Sequence, residues 1–389
     1  MTADTLDLET LRRFPDIEAP NLVAVDASDR LILDEAADLL AEAGAGAEPG
    51  AVVVINDHYS ALTLGAVALH GASDVRVHQD MVTGERALGQ NAAAAGLTGT
   101  FRSLDLVPEL VDGARVVLLQ LPRGLDALEE IAQLVAAHAH PDVRVVAGGR
   151  VKHMSRGMND VLARSFTEVT ASLGRQKSRV LHASGPRPAP TAPTYPRRAV
   201  DADRGLHVVA HGAAFAGPQV DVGSRYLLTF LDRMGPTASD ALDLGCGTGV
   251  LATELASARP DLAVTATDAS HAAVRSTAAT LEANHLADRV TVVREDGLED
   301  RPDASADLIV CNPPFHVGAT LAPDAALRML RGAARVLRDG GELWTVFNSR
   351  LAHAGALRRI VGPTEVMGDD GTFTVTRTVR PARRARRSA

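Results

Sequence analysis

The sequence repeats itself. Residues 51–62, AVVVINDHYSAL, match residues 240–251, DALDLGCGTGVL, at an offset of 189 positions. Asp80 then matches Asp268 at 188, and Gln120-Leu121-Pro122 matches Asn312-Pro313-Pro314 at 192. A nearly constant offset over about seventy residues means one folding unit used twice. Within the first copy, short apolar runs (51–55, 114–121, 143–149) alternate with stretches of helical spacing, such as MVTGERALGQNAAAAG and Leu125 to His138. After residue 204 the alternation restarts. Strand and helix in turn predict an α/β chain, each copy a mostly parallel sheet with helices on both faces.

Between the copies lies SGPRPAPTAPTYPRR (184–198), rich in proline, which cannot form a helix or sheet interior. The expected layout is therefore a first domain at 1–183, a linker at 184–203, a second domain at 204–380 and a basic tail at 381–389. A length of 389 residues exceeds what one core usually serves, which agrees with two domains. The first twenty residues are acidic and mixed, and no stretch offers eighteen uncharged apolar residues, so neither a leader nor a membrane span is expected and the cytoplasm is the default. Two cysteines, Cys246 and Cys311, are too few for a disulfide framework or a cysteine zinc site. His207 and His211 lack companions at metal spacing, so no metal is expected.

The net charge of −8 conceals two basic regions. From Arg144 to Arg198 eleven Lys/Arg face only Asp160 and Glu168, and from Gly371 to Ala389 there are six Arg and no acid. Cations gathered in two places on an otherwise acidic chain suit steering toward phosphate. Lys152, Arg156, Arg175 and Lys177 are candidate RNA contacts by charge alone.

The copies differ at one turn. In the second, Asp243-Leu244-Gly245-Cys246-Gly247-Thr248-Gly249 follows a strand and opens a helix, and its glycines permit positive φ and close ligand approach. In the first, the same turn carries Asn56, Asp57, His58 and Ser60, so that copy is expected to keep the fold and lose the site. The spacing is GxGxG, not the GxGxxG of dinucleotide folds. With an acid two residues before the first glycine, it fits a cofactor with a cationic amino-acid end. S-adenosylmethionine is such a molecule, with Asp243 near its methionine moiety. Asp268 ends the next strand, where a carboxylate can accept two ribose hydroxyls. Asp296-Gly297 end a third, where a carboxylate can receive the adenine amino group.

The stretch 305–315, SADLIVCNPPF, reads as a buried strand halted by two prolines. The residue before a proline is held extended, so Asn312 projects from the strand end. An amide, two main-chain carbonyls and the Phe315 ring can accept hydrogen bonds from an amine and stack on the flat group that carries it. Asn312, Pro313, Pro314 and Phe315 are the candidate catalytic set. Cys311 points opposite to Asn312 on the strand and reads as core, as does Trp344.

Through DLGCGTG, Asp268, Asp296 and NPPF the chain resembles the class I S-adenosylmethionine-dependent methyltransferases. Through NLVAVDASDRLIL, GGRVKH, AFAGPQVDVGSRYLL and RGAARVLRDGGELWTVFNSRLAH it resembles the bacterial ribosomal RNA guanine-N2 methyltransferases, the large-subunit type nearest and the small-subunit type next. The resemblance covers nearly the whole chain. It implies two tandem Rossmann-like methyltransferase domains from a duplication, the N-terminal copy degenerate and RNA-binding, the C-terminal copy catalytic. It further implies S-adenosyl-L-methionine as cofactor, guanine N2 in ribosomal RNA as substrate, and Asp243, Gly245, Gly247, Gly249, Asp268, Asp296, Gly297 and Asn312 around the cofactor. A monomer is compatible with all of this. The residues alone leave an adenine N6 amine or a protein glutamine amide open as acceptor. A non-catalytic RNA-binding assembly factor is the reading from another class, and the intact glycine turn argues against it.

Overall fold

In a computed structural model, residues 6–44, 50–188, 192–313, 322–350 and 353–382 are described. Pro314, Phe315 and the tail from 383 lie outside them. The chain divides into two compact units, Met1–Tyr195 and Pro196–Ala389.

In the first unit β1 (Val52–Ile55), β2 (Val75–His78), β3 (Phe101–Ser103), β4 (Val116–Gln120), β5 (Arg144–Arg150), β6 (Phe166–Ala171) and β7 (Ser178–Pro186) form one sheet in the order β3-β2-β1-β4-β5-β7-β6. The first five run parallel, and β7 and β6 close the edge antiparallel. β1 and β4 are buried along their whole length, as continuous apolar runs demand of strands covered on both faces. Two cores result, one on each side of the sheet. Val52, Val54 and Leu118 point into one, and Val53, Ile55, Val117 and Leu119 into the other.

The second unit opens with a hairpin, β8 (Arg197–Asp201) and β9 (Leu206–Ala210). Its sheet holds β10 (Asp240–Leu244), β11 (Ala263–Asp268), β12 (Val290–Arg294), β13 (Ala306–Cys311), β14 (Leu337–Asn348), β15 (Thr364–Asp369) and β16 (Phe373–Val379). Their order, β12-β11-β10-β13-β14-β16-β15, is that of the first sheet strand for strand. The repeat seen in the letters is thus a repeat of topology.

Three expectations change. The 184–203 linker is a linker only in its middle, because Ser184–Pro186 complete β7 and Arg197–Asp201 form β8. The second unit begins before residue 204, at Pro196, since β8 pairs with β9 and β9 is held on the helix His271–Ala283 and its end. Thr280 Oγ1 accepts from Val209 N at 3.0 Å and Asn284 Nδ2 donates to the His207 carbonyl at 2.7 Å. The match of Asp80 to Asp268 is off by one. Register pairs Ile55 with His78 and Leu244 with Thr267, and the Asn56 and Gly245 amides donate to the His78 and Thr267 carbonyls. The residue after His78 is Gln79, so a neutral amide stands where the second unit has Asp268. The same register confirms Gln120 as the counterpart of Asn312, through the pairs Ile55–Leu119 and Leu244–Cys311.

Candidate active site at the carboxyl edge of the second sheet

Asp243, Asp268 and Asn312 come from three adjacent strands, β10, β11 and β13, and meet where those strands end. Open α/β sheets bind ligands along this edge, where the helix N-termini also point.

The glycine turn takes the backbone its residues permit. Gly245, Gly247 and Gly249 have φ of 77°, 56° and 78°, all left-handed. A Cβ on Gly249 would stand 3.0 Å from the Thr277 Cα, so this glycine serves packing against the helix His271–Ala283. A Cβ on Gly247 would meet nothing within 4 Å, which leaves that glycine facing open space. Its amide donates to Asp268 Oδ2 at 3.0 Å, and the Ser270 amide donates to Asp268 Oδ1 at 2.9 Å. The Asp268 carboxylate is thereby fixed in place at the turn.

Asp243 is fully buried. Its Oδ2 accepts from the Ala252 amide at 3.0 Å, in the first turn of the helix Val250–Ala258, and its Oδ1 has no partner. Burial pushes this carboxyl up to about 7; the Ala252 amide opposes the shift and Asp268 adds to it. The first unit is an internal control. There Val54 replaces Asp243, and the acid has moved to Asp57, whose two oxygens accept from the Leu62 and Thr63 amides at 2.7 and 2.8 Å. Both copies cap the same helix start with a buried carboxylate. Only the copy with glycines leaves an oxygen over, and an orphaned buried carboxylate oxygen is costly unless a ligand answers it.

Asn312 sits just past β13 and is half-buried, with Pro313 buried beside it. Its Nδ2 donates to Asp221 Oδ1 at 2.9 Å and Ser224 Oγ at 3.2 Å. A carboxylate only accepts, so this pair of contacts fixes which way the amide faces. Asp221 also caps the helix Val222–Leu227 through the Ser224 amide. Gly223 makes the approach possible, since a Cβ there would lie 3.2 Å from Asp221 Oδ1 and 3.4 Å from Asn312 Nδ2. Asp221 and Ser224 escaped the sequence reading. The signal was available in Val220-Asp221-Val222-Gly223-Ser224, which echoes Val25-Asp26-Ala27-Ser28-Asp29 in the first copy. There Gln120 donates to Asp29 and Ser28 in the same fashion.

Asp296 and Gly297 follow β12. Arg328 Nη2 lies 3.6 Å from Asp296 Oδ2, and Gly297 has φ of 59° with its carbonyl packed against Gly332. Cys311 is 1% exposed and burial drives its thiol upward, which removes it as a nucleophile. Trp344 is core, its Nε1 donating to Glu342 Oε2 at 2.7 Å.

Residues 205–377 match the family model of the methyltransferase small domain, and residues 2–187 match that of the RLMG N-terminal domain. The ribosomal RNA large subunit methyltransferase G of Streptomyces coelicolor is 34% identical over 378 residues, spanning 95% of this chain and 97% of the relative. The protein of that description from Pseudomonas paraeruginosa is 35% identical over 371 residues, 94% and 96% of the two chains. Among solved structures, a T. thermophilus 16S rRNA N2 guanine methyltransferase in complex with AdoMet and guanosine shares the fold with a TM-score of 0.69 at 24% identity, over 94% of this chain and 97% of its own. Identity of this level along nearly the whole chain, with the glycine turn and Asn312 at the edge of the second sheet, places the chain in the ribosomal RNA large subunit methyltransferase G family of S-adenosylmethionine-dependent methyltransferases.

Proposed function

We propose that the second unit transfers a methyl group from S-adenosylmethionine to the exocyclic N2 amine of a guanine in ribosomal RNA. The cytoplasm is the compartment this reading implies. The observation that carries it is the contrast between the two copies: the buried Asp243 oxygen left without a partner in the second unit, and the fully bonded Asp57 carboxylate in the first. Asp243 would face the cationic amino-acid end of the cofactor, Asp268 its ribose, and Asp296 its adenine, along one sheet edge. When bound, S-adenosylmethionine supplies an electrophilic methyl on a sulfonium.

The remaining chemistry falls to the chain. An amine conjugated to a purine is a poor nucleophile, because its lone pair is delocalised into the ring. With Nδ2 committed to Asp221 and Ser224, the Asn312 Oδ1 is the atom left to accept from that amine. The Pro313 carbonyl is the second acceptor. Two acceptors on one nitrogen favour a pyramidal geometry and aim the lone pair, so the rate gain comes from positioning and electrostatics. The proton leaves to solvent after alkylation. Phe315, proposed to stack on the base, and Pro314 lie outside the described residues. The base must leave its helical stack to reach this edge.

Mass spectrometry of nucleosides in ribosomal RNA from cells with and without the protein tests the reading. Loss of N2-methylguanosine supports it, while loss of N6-methyladenosine redirects it to the adenine amine. Asn312→Ala is expected to lower turnover by roughly a hundredfold or more while changing S-adenosylmethionine affinity by less than about threefold. Unchanged turnover removes Asn312 from the reaction.

A further inference from the structure

Both matched amides donate into a helix start, but to different residues of it. In the first unit Gln120 donates to Ser28 and Asp29, inside the helix Ala27–Glu35. Asp26, the carboxylate that caps this helix, makes its contacts elsewhere: its Oδ1 accepts from the Ser28 amide at 2.6 Å, and its Oδ2 lies 4.0 Å from Arg150. Burial pushes Asp29, the partner of Gln120, up to about 7. In the second unit Gly223 stands at the place of Ser28, and the capping carboxylate itself reaches the amide, Asp221 Oδ1 accepting from Asn312 Nδ2 at 2.9 Å. The unit with the glycine turn is thus also the one that sets its cap carboxylate directly behind the amide.

No described cation neutralises that carboxylate. Asp221 is half-buried and forms no ion pair among the described residues. The cation nearest along the chain, Arg225 one helical turn on, is committed to Asp201 and Asp203. Ser224 Oγ, the second partner of Nδ2 at 3.2 Å, carries no charge. Both Nδ2 hydrogens are therefore held on this side, one of them by a negative oxygen. A carboxylate at the donor end of an amide polarises it and raises the electron density on its far oxygen, here Oδ1.

In the transfer the amine lone pair forms the new N–C bond and the electron pair of the broken S–C bond stays with sulfur. The nitrogen then carries a positive charge until its proton passes to solvent. We propose that Asp221 is a positioning residue for this step: through the Asn312 amide, its charge favours the cation forming on the acceptor nitrogen. The inference rests on the amine-methylating reading of the second unit and deepens it. A charge that acts while the cation forms alters turnover and leaves the binding of either substrate alone.

The test follows methyl transfer by the full chain to deproteinised large-subunit ribosomal RNA from cells lacking the protein. In Asp221→Asn one side-chain oxygen can still accept from Asn312 and from the Ser224 amide, as Asp221 Oδ1 does at 2.9 and 3.1 Å, so the charge is what is lost. Asn is as good a helix cap as Asp, and the melting temperature should not move. Turnover is expected to fall roughly tenfold, with KM for RNA and S-adenosylmethionine affinity within about twofold of the parent. Ser224→Ala removes the neutral acceptor, keeps the charge, and should cost no more than about threefold. In an Asn312→Ala background Asp221→Asn should cost less than about twofold more, because the amide that carries its effect is gone. Turnover of Asp221→Asn within about twofold of an active parent, an equal loss in Ser224→Ala, or the same loss recurring without Asn312 overturns the inference and keeps the catalytic reading. A parent that transfers no methyl group to this RNA removes both.

Discussion

Asp243 shows most sharply how one side chain couples the fold to the proposed ligand. Its ordinary carboxyl value of 3.8 rises to about 7 in the folded chain. Between those limits the folded protein holds a proton that the unfolded chain has released. The protonated group therefore favours the fold fully below pH 4, and this contribution is lost as pH rises toward 7. A cationic ligand end favours the ionised form. S-adenosylmethionine should thus bind more tightly as pH rises through about 7 and should release a proton on binding near pH 6.5. Calorimetry in buffers of different ionisation enthalpy reads that proton directly. Asp243→Asn is expected to abolish it and to weaken binding roughly tenfold; proton release that persists in the variant contradicts the role. The placement of Asp243 and Asn312 at this edge was legible because each adjoins a glycine or proline signal, and that of Asp268 because it ends an apolar strand. Asp221 and Ser224 were missed because their contacts to Asn312 span 91 and 88 residues, and only the echo between the two copies points to them. The mistaken match of Asp80 for Asp268 has a similar cause. An offset counted along letters cannot see a one-residue difference in where a strand ends, and register can.

At the scale of elements, the glycine turns of the two units separate backbone shape from ligand chemistry. Asn56, His58 and Ser60 have φ of 60°, 55° and 88°, the same left-handed path as Gly245, Gly247 and Gly249. Side chains in that region cost about 1–2 kcal/mol each, less for Asn. The first unit keeps the path because the Asn56 amide and the Asp57 cap still hold it. The turn persists in the first unit although its residues carry Cβ atoms. Ala at Gly247 should cost about 1–2 kcal/mol and greatly weaken S-adenosylmethionine binding, because its Cβ enters open space. Ala at Gly249 should cost more in stability, because its Cβ meets the Thr277 backbone. Chemical denaturation with ligand titration separates the two, and equal stability losses would count against this division of labour. The apolar strands were readable from their runs, as was the helix Leu125–His138. β6 was not: it is exposed along most of its length, and a polar edge strand lacks the period that marks buried ones.

For the whole molecule, two units with separate cores make a clean division testable. A chain starting at Pro196 keeps the β8–β9 hairpin and its contacts to Thr280 and Asn284, whereas a cut at 183 would divide β7. The 196–389 piece is expected to bind S-adenosylmethionine within about threefold of the full chain and ribosomal RNA at least about tenfold more weakly. Equal RNA affinity would assign recognition to the second unit alone. The two-unit plan was visible in the repeat, and the break between units in the prolines; strand pairing at both ends of the proline stretch was not, because it depends on partners in the folded sheets. The left-handed turn of the first unit also has a practical meaning. A protein engineer who wanted a second cofactor pocket here would inherit the backbone route ready-made. The work would be confined to side chains: glycines at Asn56, His58 and Ser60, and acids at Val54 and Gln79, with Asp57 retired to avoid two buried carboxylates at one helix start.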